Sequence, residues 1–195
     1  MISTGMTSIS EISKVVEIVQ SNNCPFSLLH CISSYPAKHS DANLSTIPQL
    51  QKTFDIPVGF SDHSLGIDIS LAAVALGATI IEKHFTLDKN MPGPDQKLSI
   101  DPNELSNLVK KIRIIEKAMG SSRKTVFKTE ESFRKNMRKS LGAAQNIPVN
   151  TIIKRSMITS FRPGTGIPPY LIDEFIGRKT KKTIKKGSLL NWDFF

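Results

Sequence analysis

The sequence contains little cysteine and no long apolar run, and each shortage excludes a class of protein. Two cysteines, Cys24 and Cys31, are too few for the disulfide framework of a small secreted domain, which favours a reducing cytoplasm. The longest nearly apolar stretch, Ile69–Ile81, is shorter than the roughly 20 residues that a membrane-spanning helix needs. The chain does not open with a basic segment followed by an apolar run, so no signal peptide is predicted. We therefore expect a cytoplasmic protein without a membrane partner.

Trp and Tyr are also scarce, and this affects how the positive charge is interpreted. One Trp and two Tyr are too few for the base-stacking surface of a single-strand nucleic-acid binder. The net charge of +9 is uneven: residues 1–120 carry 10 Lys and Arg against 12 Asp and Glu (net −2), whereas residues 121–195 carry 16 against 5 (net +11). A basic half suits an anionic small substrate or an acidic protein surface as well as nucleic acid. We predict two separate domains and no nucleic-acid partner.

Strand-like and helix-like segments alternate four times through residues 1–120. The clearest helix has Asp101 as its cap, Pro102 in its first turn and Glu104 at capping-box spacing, and it ends at Gly120. The other predicted helices and the predicted strands are a helix after Ser8, helices Leu44–Phe54 and Ile67–Leu76, and strands Met1–Ser3, Phe26–Cys31, Pro57–Phe60 and Thr79–Lys83. Four βα units predict a parallel sheet, either a small open sheet or half of a (β/α)₈ barrel, because a complete barrel takes about 250 residues.

The pattern changes after Gly120. Residues 121–139 are polar and basic, and we predict a linker there. Residues 140–195 contain short apolar runs broken by Pro, Gly and Asn, which favours a small, mostly β domain with a helical turn near Tyr170–Ile176.

Polar residues stand at the carboxyl ends of the predicted strands, the edge where parallel α/β proteins bind ligands. His63 and His84 end two successive strands, and neutral imidazoles from neighbouring strands can share a divalent metal ion. A histidine that ends a strand is nevertheless more often a hydrogen-bonded structural residue, and two histidines make an incomplete catalytic site. Serines at strand ends are ordinarily helix caps. From spacing alone both interpretations stay open.

Five short motifs occur in order along the chain: Ser-Thr-Gly-Met at 3–6, Ser-Ser-Tyr-Pro at 33–36, Gly-Phe-Ser-Asp-His at 59–63, Glu-Lys-His-Phe-Thr at 82–86 and Pro-Gly-Pro-Asp at 92–95. Together they resemble the sialic acid synthase family, which includes N-acetylneuraminate, legionaminate and pseudaminate synthases. Arg-Pro-Gly-Thr-Gly-Ile at 162–167 and Ile-Lys-Lys-Gly at 184–187 resemble that family's C-terminal antifreeze-like (SAF) domain. Each motif alone is a weak signal, whereas the ordered set is specific and covers essentially the whole chain.

The resemblance implies that residues 1–120 are the last four βα units of a (β/α)₈ barrel and that residues 140–195 are an SAF domain. It also implies condensation of phosphoenolpyruvate with an N-acetylated amino sugar to a nine-carbon 2-keto acid, with release of phosphate. Earlier strands of the family's barrel supply a lysine and a carboxylate, so this chain is expected to be inactive by itself. Two alternatives are a non-catalytic binding or assembly subunit, completed by a second polypeptide, and an inactive remnant of such an enzyme.

The resemblance further implies roles for individual residues. His63 and His84 would hold Mn²⁺ or Mg²⁺, while Glu82 and Asp95 would act at the sugar or on the catalytic water. The remaining substrate-binding assignments are Ser3 and Ser61 to phosphoenolpyruvate, Tyr35 to the sugar and Arg162 to its N-acyl group. In the family Arg162 would act across the interface of a homodimer with exchanged SAF domains. Gln96 departs from the family pattern, which commonly has His after Asp95.

Overall fold

A computed structural model describes residues 1–195 and contains two compact units, Met1–Ser122 and Arg123–Phe195. In the first unit four strands and four helices alternate. The strands are β1 (Ile2–Ser3), β2 (Leu28–Cys31), β3 (Val58–Asp62) and β4 (Ile81–Lys83), and the helices are α1 (Ile9–Ser21), α2 (Thr46–Phe54), α3 (Asp68–Ala75) and α4 (Pro102–Met119). The strands form one parallel sheet in the order β1-β2-β3-β4. The predicted α/β alternation and parallel sheet are confirmed.

Side-chain caps fix the starts of α1 and α4. The Glu11 carboxylate accepts hydrogen bonds from the Ser8 backbone N–H at 2.7 Å and from the Ser8 hydroxyl at 2.6 Å. At α4 the Asp101 N–H donates to Glu104 at 2.9 Å, and the Glu104 N–H donates back to Asp101 at 2.8 Å. Such caps contribute about 1 kcal/mol each. Because they require particular residue types three positions apart, these two helix starts can be predicted from the sequence.

Other element boundaries differ from the predicted ones. Strand β3 extends two residues beyond Phe60, since the backbones of Ser61 and Asp62 still pair with β4 although their side chains are polar. Helix α2 begins at Thr46 rather than Leu44, because Asn43 has a positive φ of 40° and its amide donates to the Thr46 hydroxyl. No helix in the structure combines the length and the apolar content needed to cross a membrane.

The main core of the first unit lies between the sheet and its helices. Its buried members come from strands β2 and β3, helices α1, α2 and α3, and the segments before α2 and after α3: Ile12, Val16, Leu28, Ala42, Ile47, Leu50, Val58, Phe60, Ala73 and Ala78. Burial of each large aliphatic or aromatic side chain contributes about 1.5–3 kcal/mol. A smaller cluster of Ile67, Ile100 and Leu108 packs α4 onto the unit. Gly59 permits the close approach of neighbouring strands, since a Cβ there would lie 2.6 Å from the Ile80 carbonyl oxygen.

The second unit has one helix and a small amount of β structure. Its elements are α5 (Lys128–Met137) and the antiparallel strands β5 (Ser140–Ala143) and β6 (Ile158–Phe161), with isolated bridges Gly142–Leu189, Ile147–Ile184 and Ile152–Lys179. A separate core holds the unit together, formed by Leu141, Ala143, Ile147, Ile153, Ile158, Ile167, Phe175, Ile184 and Leu190. A short 3₁₀ helix spans Pro169–Glu174, close to the predicted helical turn.

Helix α5 lies within residues 121–139, the segment predicted as a linker. The Phe127 N–H donates to the Glu130 carboxylate at 2.9 Å and starts the helix. Acidic Glu130 and Glu131 occupy its first turn and basic Arg134 and Lys135 its last, which complements the helix dipole. No α5 residue is buried, and its apolar side chains Phe133 and Met137 are exposed.

The burial of His30 generates a pH-dependent prediction. Burial lowers the pKa of His30 below its ordinary 6.5, although the hydrogen bond from its Nε2 to the Ala42 carbonyl, 2.8 Å long, raises it. His30 therefore binds a proton more readily in the unfolded chain than in the folded chain. The free energy of unfolding consequently declines as the pH falls through about 6.5 towards the folded pKa of His30. We expect intrinsic-rate-corrected hydrogen-exchange protection of β2 and β3 to drop on acidification, and to drop less in His30→Gln.

His39→Gln is the matched control, because His39 is exposed. It should retain the wild-type decline in protection on acidification. An equal decline in His30→Gln and wild type would contradict the assignment to His30.

Candidate active site

Strand alternation places Ser3, Ser61 and Glu82 on the sheet face opposite to the helices. Val58 and Phe60 of β3 point into the core shared with the helices, so Ser61 points to the other face. Its register partner on β4 is Glu82, which points the same way. By the same alternation Ser3, at the end of β1, lies on this face.

Three aromatic rings meet at the carboxyl ends of β2, β3 and β4. The centres of the Tyr35 and His63 rings are 4.2 Å apart, those of Tyr35 and His84 are 5.6 Å apart, and those of His63 and His84 are 5.3 Å apart. With metal–nitrogen bonds of about 2.1 Å, two imidazoles on one ion have ring centres roughly 5 Å apart. The two histidines thus lie on one side of the sheet at a suitable spacing, while their role as ligands stays a prediction.

The hydrogen bond of His63 determines which of its nitrogens is available. Buried His63 donates from Nδ1 to the Ile32 carbonyl oxygen at 2.8 Å. In the neutral ring the proton is then on Nδ1, and Nε2 carries the free lone pair. Nε2 lies 3.4 Å from the Ser61 hydroxyl oxygen. A carbonyl partner on the far nitrogen is the arrangement that orients metal-binding histidines.

Ser61 and Glu82 are joined by a short hydrogen bond. The buried Ser61 hydroxyl donates to Glu82 Oε1 at 2.6 Å, whereas Glu82 itself is exposed. Bonds from a hydroxyl to a carboxylate are typically this short and stronger than neutral ones. The pair therefore offers an oriented carboxylate at the open side of the site.

His84 and Asp95 approach each other without a hydrogen bond. His84 Nδ1 and Asp95 Oδ2 are 3.7 Å apart, beyond hydrogen-bond range, and their side chains are 30% and 49% exposed. The chain after β4 is held by a bond from the Ile100 N–H to the His84 carbonyl at 2.8 Å and one from the Thr86 N–H to the Ile100 carbonyl at 3.0 Å. Asp95 is thereby brought to the same edge of the sheet as the two histidines.

No group of three or more His, Cys, Asp or Glu side chains forms a potential metal centre. If only the two imidazoles bound a divalent ion, water or substrate oxygens would have to fill its other coordination positions. Mn²⁺ and Mg²⁺ accept such oxygen ligands. The donor set therefore fits a loosely held divalent ion rather than a closed structural zinc site.

Asp62 and Lys83, which the sequence analysis gave no role, form a buried ion pair behind the histidines. Lys83 Nζ lies 2.9 Å from Asp62 Oδ2, and their side chains are 3% and 0% exposed. Burial by itself raises the pKa of Asp62, but hydrogen bonds from Ser64 and Ser70 and the charge of Lys83 outweigh it and hold that pKa below its usual value. One feature of the sequence could have identified this pair. Each residue directly precedes a site histidine, so strand alternation places it on the helix face, where an apolar side chain is expected.

Arg162, the remaining predicted site residue, belongs to the second unit. It is exposed, and its Nε donates to the Met137 carbonyl at the end of α5 at 3.0 Å. The neighbouring Gly164 N–H donates to the Lys135 carbonyl at 2.8 Å. The loop that carries Arg162 is thus fastened to the last turn of α5.

Comparison with known families agrees with this geometry. The NeuB family model matches residues 1–124, more than half of the chain, and the SAF domain model matches residues 138–195. The chain belongs to the NeuB family, and its residues 138–195 are similar to SAF domains. The resemblance to sialic acid synthases deduced from the ordered motifs is confirmed.

Relatives from bacteria and animals match nearly the whole chain. The N,N'-diacetyllegionaminic acid synthase of Campylobacter jejuni is 43% identical over 193 residues, which are 97% of this chain and 58% of the relative. The human N-acetylneuraminate-9-phosphate synthase is 40% identical over 192 residues, which are 97% of this chain and 54% of the relative. The chain thus spans a little over half the length of these relatives.

A solved structure supports the same assignment. The N-acetylneuraminic acid synthetase of Leptospira borgpetersenii, crystallised with citrate, is 45% identical with a TM-score of 0.64. The match covers 67% of this chain and 46% of the Leptospira chain.

The hydrogen bonds of two buried histidines predict opposite tautomers. His63 donates from Nδ1 to Ile32, whereas His30 donates from Nε2 to Ala42. In ¹⁵N–¹H correlation spectra we expect a protonated Nδ1 for the neutral ring of His63 and a protonated Nε2 for that of His30. The same tautomer at both residues would contradict the site geometry, and His30 serves as the internal control.

Proposed function

We propose that this chain supplies the carboxyl-terminal half of the active site of a nonulosonate synthase. The reaction condenses phosphoenolpyruvate with an N-acylated amino sugar to a nine-carbon 2-keto acid and releases phosphate. The observation that carries the proposal is the convergence of Tyr35, His63 and His84 beside the Ser61–Glu82 pair. The names of the legionaminic acid and N-acetylneuraminate-9-phosphate synthases among the relatives agree with it.

The four βα units are proposed to form half of a (β/α)₈ barrel, with residues 140–195 as an SAF domain. Support comes from the parallel order of the four strands and from the position of the polar residues at their carboxyl ends, where barrel enzymes place their sites. The matching relatives extend over nearly twice the length of this chain. We therefore propose that strands outside these 195 residues complete the barrel in the working enzyme, which acts in the cytoplasm.

His63 and His84 are proposed to hold Mn²⁺ or Mg²⁺. The unprotonated Nε2 that the Ile32 bond leaves on His63 and the 5.3 Å separation of the two ring centres support this assignment. When bound, such an ion polarises the aldehyde oxygen of the open-chain sugar. The protein's contribution is to fix the imidazoles, through the Ile32 carbonyl in the case of His63, before the ion arrives.

The side chains around the histidines are proposed to bind and orient the two substrates. In the reaction C3 of phosphoenolpyruvate forms a bond with the aldehyde carbon, water adds at C2, and the C2–oxygen bond to phosphate breaks. Ser3 and Ser61 are proposed to contact the phosphate of phosphoenolpyruvate. Tyr35 is proposed to contact the sugar, while Glu82 and Asp95 hold its hydroxyls or the attacking water as hydrogen-bond acceptors.

Arg162 is proposed to recognise the N-acyl group of the sugar. A guanidinium carries several donors in a fixed plane and suits an amide carbonyl oxygen. The hydrogen bond from Arg162 Nε to the Met137 carbonyl holds the guanidinium in a defined position relative to α5 within the second unit. In the assembled enzyme we propose a homodimer in which the SAF domain of one protomer serves the site of its partner.

The metal proposal predicts that the 195-residue chain binds Mn²⁺ through its two histidines. Isothermal titration should show one weak site in wild type and no measurable binding in His63→Ala or His84→Ala, because a single imidazole leaves too few protein ligands. His39→Ala, which removes an exposed histidine of the short 3₁₀ helix His39–Asp41, is the matched control and should bind as wild type does. Equal affinity in all four proteins would overturn the assignment.

The condensation proposal predicts that the 195 residues alone release no phosphate from phosphoenolpyruvate and an N-acyl amino sugar. Positioning of two reactants accounts for about 7–11 kcal/mol of such a barrier, and Ser3 and Ser61 alone are neutral donors to a highly charged phosphate. Adding the amino-terminal barrel half of a NeuB-family relative should restore turnover. Sugar- and Mn²⁺-dependent phosphate release by the 195-residue chain alone would contradict this expectation.

In the restored enzyme Arg162→Ala should raise KM for the sugar more than KM for phosphoenolpyruvate. Arg155→Ala is the matched control, because Arg155 is an exposed arginine of the same unit that pairs with Asp173. An equal effect of Arg162→Ala on both substrates would remove Arg162 from sugar recognition.

A further inference from the structure

Two charges are buried where this sheet otherwise packs apolar side chains against its helices. Asp62 and Lys83 end β3 and β4, are register partners, and have side chains 0% and 3% exposed. Removing two charges from water is costly, and an apolar pair of similar volume is often equally stable or more stable in such a position. Stability alone is therefore a weak reason for a charged pair here.

The Asp62 carboxylate holds the chain on both sides of His63. Its Oδ1 accepts the Ser64 backbone N–H at 2.8 Å and the Ser64 hydroxyl at 2.6 Å, which closes a tight turn around His63. Its Oδ2 accepts the Ser70 hydroxyl of α3 at 2.5 Å and Lys83 Nζ at 2.9 Å. All four bonds are made inside the protein, so the carboxylate has little freedom to move.

Lys83 connects this turn to the strand that carries the second histidine. Its Nζ donates to the Ser64 carbonyl oxygen at 2.7 Å as well as to Asp62. Ser64 is thus held at its N–H, its hydroxyl and its carbonyl by two residues, and each of these residues directly precedes a site histidine. The ion pair links the backbone at His63 to the backbone at His84.

We propose that Asp62 and Lys83 are positioning residues that set the relative placement of the His63 and His84 rings. The inference rests on the proposed metal site for its functional meaning, but it concerns ring placement in the metal-free protein. Residues that orient metal-binding side chains from behind typically change metal affinity by about 10–100-fold when they are replaced.

The test is the uncharged double variant Asp62→Asn/Lys83→Met, which retains an acceptor for Ser64 and the approximate volume of both side chains. We expect its urea midpoint to stay near that of wild type, its His63–His84 ring nuclear Overhauser effects to weaken, and its Mn²⁺ affinity to fall about 10–100-fold. Lys83→Arg, which keeps the charge and donors, should retain more affinity than Lys83→Met. If the pair served stability alone, Lys83→Arg would recover Mn²⁺ affinity over Lys83→Met only together with a higher urea midpoint.

The control is Lys89→Met/Glu104→Gln, which removes another lysine–carboxylate pair of the same unit, one that is partly exposed. It should leave the ring contacts and Mn²⁺ affinity unchanged. Wild-type ring contacts in a folded Asp62→Asn/Lys83→Met protein would overturn the proposal. If wild type itself binds no Mn²⁺, the metal site fails, while the ring contacts still decide whether the pair positions the histidines.

If the double variant does not fold, Ser70→Ala replaces it. This change keeps both charges but releases Asp62 from α3. The ring contacts and Mn²⁺ affinity should change in the same direction by a smaller factor. Unchanged ring contacts in folded Ser70→Ala would then overturn the proposal.

Discussion

The parallel pairing of β3 with β4 is the constraint on which the site depends. Its register aligns Ser61 with Glu82 and Asp62 with Lys83, so the residues that follow, His63 and His84, leave the sheet side by side. Because side chains alternate between faces, the same alignment that brings Ser61 and Glu82 together on the open face brings the ion pair together on the helix face. A slip of β4 by one residue would turn Glu82, Lys83 and His84 to the opposite faces and separate them from their partners on β3.

The features that could be predicted from sequence are those with local causes. The helix starts at Ser8 and Asp101 follow from capping boxes, and the alternation of strands and helices follows from the apolar pattern. Boundaries set by backbone pairing were missed, as at Ser61 and Asp62, where polar side chains conceal a strand. Helix α5 was missed because its segment is mostly polar and charged, which is a composition typical of linkers.

The candidate site also has one part that could be predicted from the sequence and one part that could not. Ordered motifs identified the family and supplied Tyr35, His63 and His84, whose rings lie together in the structure. What no motif could supply is the set of contacts that orient them: the Ile32 carbonyl on His63 and the Asp62–Lys83 pair are tertiary facts. Sequence therefore named the groups at the site, and only the fold shows what orients them.

The bond between Ser61 and Glu82 has a consequence for how ligands enter. A hydroxyl has one proton, so Ser61 can donate to Glu82 or to an incoming anion, and not to both at once. An anion that takes this bond leaves the Glu82 carboxylate without its hydrogen-bond donor and brings negative charge close to that carboxylate. Anion binding at Ser61 and the hydrogen bonding of Glu82 are therefore coupled, and a ligand that occupies the serine leaves a carboxylate oxygen open to a donor from the next ligand.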